Sequence, residues 1–370
     1  MTLSVSISRT SWAAISADAL PALAAPTYRT AMTAADLSLI PDFDLTTRNT
    51  LALDAHSRFG IMLDTPESVV ALIDRAERDG LPLRILGGGS NVVLATTFDG
   101  ITGIVATKGR TLVETTDGHV LVEAAAGETW HDFVAWTVSQ GFGGLENLAG
   151  IPGTVGAAPV QNIGAYGAEV ADIFESLVAF DRHDKTLKTF SLTDCQFAYR
   201  DSVFKRDAGR YVVLSLRLRL PHPWVPNLRF AGLSELAGTS DLSPQSVMDR
   251  VLALRGSKLP DWRVTPNAGS FFQNPIVAPD EATSILAEFP AAPNFPQADG
   301  RLKLSAGWLI EQSGLKGFRM ARAGISERHA LVVINLGGAH AGDISALAAH
   351  VKATVLARFG IALHEEPVFI

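Results

Sequence analysis

Gly143–Glu169 reads GGLENLAGIPGTVGAAPVQNIGAYGAE: seven glycines in 27 residues, with Glu146 and Glu169 the only charged ones. That is too apolar for a surface linker and too rich in glycine for an ordinary helix or strand. Glycine allows φ > 0 and lets backbone come close to another group. The stretch therefore suits a chain that wraps a flat, partly anionic ligand with its own N–H groups. Gln161 and Asn162 add amides that can read a ring edge or a ribose. A tightly packed loop with no ligand is the competing reading, and this stretch alone does not separate the two.

The rest of the chain narrows the class. At 370 residues it is long for one core, and two or three domains are expected. A composition of 47% hydrophobic and 19% charged residues is globular. The net charge of −7 argues against nucleic acid as the main partner but not against an anionic small molecule held by local Arg and Lys. Cys195 is the only cysteine, which removes intrachain disulfides and any Cys-based zinc site and fits a reducing cytoplasm. No metal is expected. No apolar run reaches membrane-spanning length, so no membrane insertion is expected. Residues 1–42 are rich in Ala, Ser and Thr. Trp12–Ala25 is broken by Asp18 and Pro21 with only Arg9 ahead of it, so a loosely ordered extension is expected, not a signal peptide.

Upstream of the glycine stretch, Thr65 can N-cap a helix with Pro66 in its first turn, Val69, Leu72, Ile73 and Ala76 on one face, and Gly80 ending it. Pro82–Leu86 reads as a strand running into Gly87-Gly88-Gly89-Ser90-Asn91, a turn of the kind that cradles phosphate. The Rossmann pattern fails there, because Val92 stands where the third glycine belongs, and Val92–Leu94 and Ile101–Ala106 continue as strand. A structural hairpin is the alternative. A helix capped by Thr129 is expected over Trp130–Gln140. Downstream, Val178–Phe180 and Leu187–Phe190 form an expected hairpin. Tyr211–Leu220 alternates, with Leu214, Leu216, Leu218 and Leu220 on one face. Ser243-Pro244 opens a helix expected to stop at Gly256. Helices over Pro279–Phe289, Ala306–Ser313 and Asp343–Phe359, a strand at Leu331–Asn335 and an extended Ile361–Ile370 complete the chain.

Four polar clusters stand out: Tyr199-Arg200-Asp201-Ser202, Lys258-Leu-Pro-Asp261, Pro266–Pro275 around Ser270, and Glu365-Glu366. Each has an ordinary reading: Arg200 as a surface ion-pair partner, Ser270 as a turn serine, Lys258 as a solvated helix end, Glu366 as an exposed strand residue.

In this order the segments ILGGGSNV, GLENLAGIPGTVGAAPVQNIGAYGAE, YRDSVFK, KLPD, NAGSFFQNP and KLSAGWLIEQSGLKG resemble the UDP-N-acetylenolpyruvoylglucosamine reductase family, over about Phe43 to Ile370. The polar insert carrying Tyr199-Arg200-Asp201 and the Pro-rich loop after Leu220 resemble its longer-loop class. The resemblance implies an α+β chain with the vanillyl-alcohol-oxidase (PCMH-type) FAD fold and a C-terminal α+β substrate domain. On that basis 43–106 with the last strand 360–370 is the first FAD-binding subdomain, 107–256 the second, and 257–359 the substrate domain. It implies non-covalent FAD, since Gly87–Asn91 offers no histidine, with NADPH as reductant and an enolpyruvyl UDP-sugar as substrate, in a cytoplasmic monomer.

By the same resemblance, Gly87, Gly88, Gly89, Ser90 and Asn91 hold the FAD diphosphate, and Gly150, Gly153, Gly156, Gln161, Asn162 and Gly164 face the flavin. Arg200, Ser270 and Glu366 are the catalytic set, with Tyr199, Lys258, Asn274 and Phe230 on the substrate. Two departures bear on this. The last strand has Glu366-Pro367-Val368 where the family has Glu-Val and a basic residue, so Glu365 is a rival to Glu366. Phe230 stands where the closing loop often has a tyrosine, and it packs but cannot donate. Another flavin oxidase of this fold, or a catalytically silent flavin or nucleotide-sugar sensor, is the alternative. The oxidase would not need Arg200, Ser270 and Glu366 together, and the sensor would not need Ser270.

Overall fold

The computed structural model describes residues 37–370, so most of the extension expected at 1–42 lies outside the described residues. Its last part is built in: Leu37 is buried in a core and the first strand begins at Ile40. Three lobes follow. In the first, Ile40–Asp44 pairs antiparallel with His56–Leu63, which runs parallel to Thr97–Val105, and Leu83–Leu86 lies parallel on the far edge. Helix Pro66–Asp79 links the second strand to Leu83–Leu86. The Thr65 hydroxyl accepts from Ser68 N–H at 3.1 Å, and Gly80 closes the helix at φ +63°. Val69, Leu72, Ile73 and Ala76 are buried as the spacing predicts, each of the three large ones contributing roughly 1.5–3 kcal/mol.

The second lobe is a five-stranded antiparallel sheet in the order Thr186–Phe190, Phe174–Asp181, Tyr211–Pro221, His119–Ala125, Arg110–Thr115. Leu214, Leu216, Leu218 and Leu220 are all buried, but they do not share one face as expected: a bulge at Leu214 turns it, with Val212, into the first lobe's core, while the other three pack in the second. Helix Trp130–Ser139 packs on this sheet through Trp130, Phe133 and Val134. Thr129 stands at its N-cap, but its side chain makes no capping bond. The Trp130 N–H instead donates to Gly153 O at 3.0 Å, so the glycine stretch itself satisfies the helix start.

Helix Pro244–Lys258 runs through Gly256, where a stop was expected. A Cβ at Gly256 would meet nothing within 4 Å, and an exposed helical glycine costs only about 1 kcal/mol. The stop comes from Pro260, which holds Leu259 extended at ψ 137°. Lys258 is thus the last helical residue and not one beyond the end.

The third lobe sets the sheet Asn267–Ser270, Val332–Asn335, Ala323–Ile325, Arg319–Met320 against helices Ala306–Gln312 and Ala341–Phe359. Leu51 and Leu53 reach into this core from the first lobe. Asn335 Nδ2 donates to Leu51 O (2.9 Å) and Asn267 N–H to Thr50 O (2.9 Å). The extended end expected over Ile361–Ile370 is a strand only at Val368–Phe369, parallel to Val92–Val93. Ile361 and Leu363 are core residues of the third lobe. Among the described residues no helix is long and apolar enough to cross a membrane.

Cys195 is fully buried in the second lobe, and burial pushes its thiol up to about 12. Cys195→Ser should therefore leave turnover and flavin content unchanged and lower stability by about 1–3 kcal/mol if the hydroxyl finds no partner. A folded, flavin-loaded Cys195→Ser protein without turnover would place the thiol in the chemistry.

Candidate active site

The lobes meet at a cleft of about 1400 Å³, larger than the roughly 300–1,000 Å³ of a site for one small ligand. Arg84, Arg182, Arg200, Lys205, Arg255 and Lys258 line it against a single carboxylate, Glu366, in a chain of net charge −7. A positive cleft in a negative protein draws anionic ligands.

Two glycine runs form its middle. Gly87–Asn91 leaves the edge strand Leu83–Leu86 and lies on the stretch beginning at Gly153. A Cβ on Gly88 would stand 2.9 Å from Gly153 Cα, and one on Gly156 2.5 Å from Ala126 Cβ. Ser90 Oγ donates to Pro152 O at 3.1 Å. With both walls stripped to backbone, N–H groups can reach a diphosphate. Asn91 Nδ2 donates to Gln161 Oε1 (3.0 Å) and to Glu366 O (3.2 Å), which leaves the Gln161 amide N–H groups for a ligand. Bare backbone, amides and surrounding cations together fit a non-covalently held dinucleotide.

Gly80 and Gly89 share a left-handed backbone, φ +63° and +60°, but differ in space. A Cβ at Gly80 meets nothing, whereas one at Gly89 would stand 2.0 Å from Arg48 O. Gly80→Ala should cost about 1–2 kcal/mol. Gly89→Ala should cost clearly more in denaturant unfolding and release flavin, and equal losses for the two would refute the close-packing argument.

Two residues expected at the flavin do not line the cleft. Gly150 (φ +72°) is there for helix packing, since a Cβ would stand 2.9 Å from Leu252 Cδ2. Asn162 is buried and its amide is fully engaged, donating to Glu169 Oε2 (2.8 Å) and Ala198 O (3.3 Å) and accepting from Ala171 N–H (2.9 Å). It ties the glycine stretch to the turn that carries Arg200.

That turn is Tyr199-Arg200, closed by Ala198 N–H to Asp201 O (3.0 Å) and the return bond (3.2 Å), with Arg200 at φ +55°. A left-handed arginine is strained by roughly 1–3 kcal/mol and persists where its surroundings hold it. Lys205 Nζ donates to Arg200 O at 2.9 Å. The guanidinium is aimed by two bonds, Nε to Glu366 Oε1 (3.1 Å) and Nη2 to Gly164 O (2.8 Å), which leaves three N–H groups for a ligand.

Glu366 is buried. Burial holds its carboxyl above the usual range, with Arg200 and Lys205 pulling the other way. Its N–H donates to Phe271 O (2.9 Å), one residue from Ser270. Glu365 points elsewhere and pairs with Lys352 at 3.0 Å. Ser270 follows Gly269 (φ +72°) and precedes the fully buried Phe271 and Phe272. Its hydroxyl has no hydrogen-bond partner among the described residues. Lys258 Nζ lies 5.4 Å from the Phe230 ring centre, and Phe230 packs edge-on to Tyr166 at 4.9 Å. Asn274 Oδ1 accepts from Ala306 N–H (2.9 Å). Tyr199, expected on the substrate, does not line the cleft but lies beside Asn274, and burial raises its phenol.

The sequence reading missed Arg255 and His329. Arg255 sits in helix Pro244–Lys258, where the sequence reading used the residues only to place the helix and its stop. His329 accepts at Nδ1 from Leu331 N–H (3.2 Å), and burial, followed by Lys258 and Lys316, holds it below its ordinary range, so it is neutral with its proton on Nε2.

Residues 260–370 match the C-terminal domain family of UDP-N-acetylenolpyruvoylglucosamine reductase, and residues 59–189 match an FAD binding domain family. The UDP-N-acetylenolpyruvoylglucosamine reductase of Azoarcus sp. (strain BH72) is 48% identical over 341 residues, 90% of this chain and 98% of that protein. That of Neisseria gonorrhoeae is 46% identical, covering 88% of this chain and 95% of its own. The crystal structure of UDP-N-acetylenolpyruvylglucosamine reductase from Thermus caldophilus is similar in fold, with a TM-score of 0.61 at 24% identity, covering 90% of this chain and 98% of that one. With two relatives matched nearly end to end at this identity, and with two facing glycine runs and the Arg200–Glu366 pair in one cleft, the chain belongs to the UDP-N-acetylenolpyruvoylglucosamine reductase family.

Proposed function

We propose that the chain reduces the enolpyruvyl group of its UDP-sugar with Arg200, Ser270 and Glu366 as the reacting residues. The activity is that of an FAD-dependent UDP-N-acetylenolpyruvoylglucosamine reductase, which makes UDP-N-acetylmuramate for peptidoglycan with NADPH as reductant. FAD, when bound, would supply the two-electron chemistry that links NADPH to the enolpyruvyl group.

The residues supply the rest. Hydride addition drives negative charge onto the substrate carboxylate, where the free edge of the Arg200 guanidinium receives it. Glu366, buried against it, fixes that guanidinium and stabilises the enol. The Ser270 hydroxyl gives its proton to the α-carbon, and the cleft's cations lower the cost of the alkoxide left behind. Lys258, Asn274 and Phe230 hold the nucleotide sugar, with Tyr199 behind Asn274. Glycines 87–89, 153, 156 and 164 with Ser90, Asn91 and Gln161 hold the cofactor. In this reading the first two lobes clamp the flavin and the third carries the substrate. The family resemblance supports a monomer, and a reductant of this kind supports a cytoplasmic setting.

The observation that carries the reading is the convergence of Arg200, Glu366 and the Ser270 strand beside two facing glycine runs. The test incubates the flavin-loaded protein with NADPH and the enolpyruvyl UDP-sugar, following NADPH absorbance and the lactyl product. Stoichiometric product is expected. NADPH consumption that yields only hydrogen peroxide would favour a flavin oxidase, and no consumption at all would favour a silent binder.

A further inference from the structure

Glu146 and Asn147 belong to the glycine stretch but do not line the cleft. Both are buried, at 1% and 2% exposure. Their side chains reach the Pro-rich loop that follows strand Tyr211–Pro221. Glu146 Oε1 accepts from Trp224 Nε1–H at 2.7 Å, and its other oxygen accepts from Gly144 N–H. Asn147 Nδ2 donates to Asn227 O (2.9 Å) and to Tyr166 O (2.8 Å), so one amide joins the loop to the far end of the glycine stretch. The loop adds two bonds of its own. Asn227 Nδ2 and Arg229 Nη2 both donate to Gly167 O, at 2.8 and 3.2 Å. Glycine makes room for this seam, since a Cβ on Gly143 would stand 2.2 Å from Trp224 Cδ1. On the cleft side the Tyr166 ring closes the seam, edge-on to Phe230 at 4.9 Å.

Phe230 is where the loop meets the cleft, with Lys258 Nζ 5.4 Å from its ring centre. A tyrosine there could tie the loop to a ligand through its hydroxyl, and a phenylalanine cannot. The bonds of the seam all lie within the chain instead. A buried polar group that loses its partner is costly. Opening the loop would take Trp224 from Glu146 and Asn227 from Asn147, so both buried side chains oppose it. We infer that Glu146 and Asn147 are positioning residues that latch the Pro-rich loop shut and so set Phe230 over the nucleotide-sugar side of the cleft, with no bond to a ligand required. They act through Phe230, and the inference rests on the function proposed above.

The test uses the flavin-loaded protein and breaks the latch from the loop side, with Trp224→Phe, Asn227→Ala and the two combined, which leaves the buried pair in place. Limited trypsin digestion is followed by mass spectrometry at Arg229, an exposed residue of the loop. Cleavage there reads the open population of the loop. Without substrate, wild type should resist cleavage at Arg229. The double variant should be cut there about 10- to 100-fold faster, the size of two lost hydrogen bonds, with other sites unchanged. In turnover its KM for the enolpyruvyl UDP-sugar should rise about threefold or more, because only the closed fraction binds well, while kcat, flavin content and flavin reduction by NADPH stay within about twofold. Wild type that is cut readily at Arg229 and protected only by the UDP-sugar would overturn the inference, since the ligand would then close the loop. An unchanged KM, unchanged cleavage at Arg229, faster cleavage at every site, or parallel losses in KM and kcat would also overturn it, the last two marking the seam as general packing. Wild type that resists at Arg229 but does not turn over the UDP-sugar would instead overturn the proposed function.

Discussion

Ser270→Ala should separate the two half-reactions. NADPH should reduce the flavin at close to the wild-type rate, because that step does not involve the enolpyruvyl group. Reoxidation by the UDP-sugar should slow by roughly 10²–10⁴-fold, the span for losing a positioned general acid. Position is what makes a hydroxyl usable here. Ser270 is held on the strand Asn267–Ser270 by the Phe271 N–H bond to Leu331 O (2.8 Å) and by two fully buried rings behind it. Its own hydroxyl is not engaged by any described protein group, so removing it breaks no internal bond and the fold should survive. Hydride addition can then run reversibly to an enol that exchanges its β-hydrogens with those delivered from labelled NADPH without forming product. Stopped-flow absorbance on each half-reaction decides. Slowed reduction by NADPH with unimpaired reoxidation would reassign Ser270 to the nicotinamide side.

How much of this was legible in the sequence follows the range of the interaction. Helix Pro66–Asp79 was readable because its cap, its apolar spacing and its Gly80 stop are all local. The end of helix Pro244–Lys258 was misplaced because glycine is only a weak breaker, and the following proline decided the matter. Within the glycine stretch, composition marked the region but not the job of each member. Gly150 serves a helix contact and Asn162 an internal tie, and neither distinction exists until Leu252 and Ala198 are brought alongside. The choice between Glu365 and Glu366 is of the same kind. Adjacent residues on an extended segment point to opposite sides, and only the third lobe's Lys352 shows which of them faces away. The bond between Arg200 and Glu366 joins residues 166 apart in the chain. Family resemblance named both residues, whereas the spacing of the sequence alone could not have paired them.

Arg200→Leu should be damaging twice over. Losing the guanidinium opposite the developing carboxylate charge should slow reoxidation by about 10²–10³-fold, the cost of removing one such donor from a dry site. It should also leave Glu366 buried without its partner, a loss of about 3–5 kcal/mol for a broken buried pair. The pH dependence carries the sign of that second effect. Burial already holds the folded Glu366 carboxyl above its ordinary range, and Arg200 is the main opposing influence, so its removal raises the folded value further. The folded state then binds this proton more tightly than the unfolded state does. The stability it contributes is fully present below the ordinary carboxylate range and is lost as pH rises through the raised folded value. Arg200→Leu should accordingly lie nearest to wild type at the acid end of its folded range and fall away toward neutral and alkaline pH. Adding Glu366→Gln removes the stranded charge. The double variant should regain most of the stability and lose the steep pH dependence, while reoxidation stays slow. Because the two residues touch, their effects are not additive, and the difference between the sum and the double variant measures the pair. Denaturant unfolding of all four proteins across pH, with stopped-flow on the same samples, separates the roles. An Arg200→Leu protein as stable as wild type at alkaline pH would show that Glu366 is not a buried charge held by Arg200. A double variant with restored turnover would remove Arg200 from the reaction altogether.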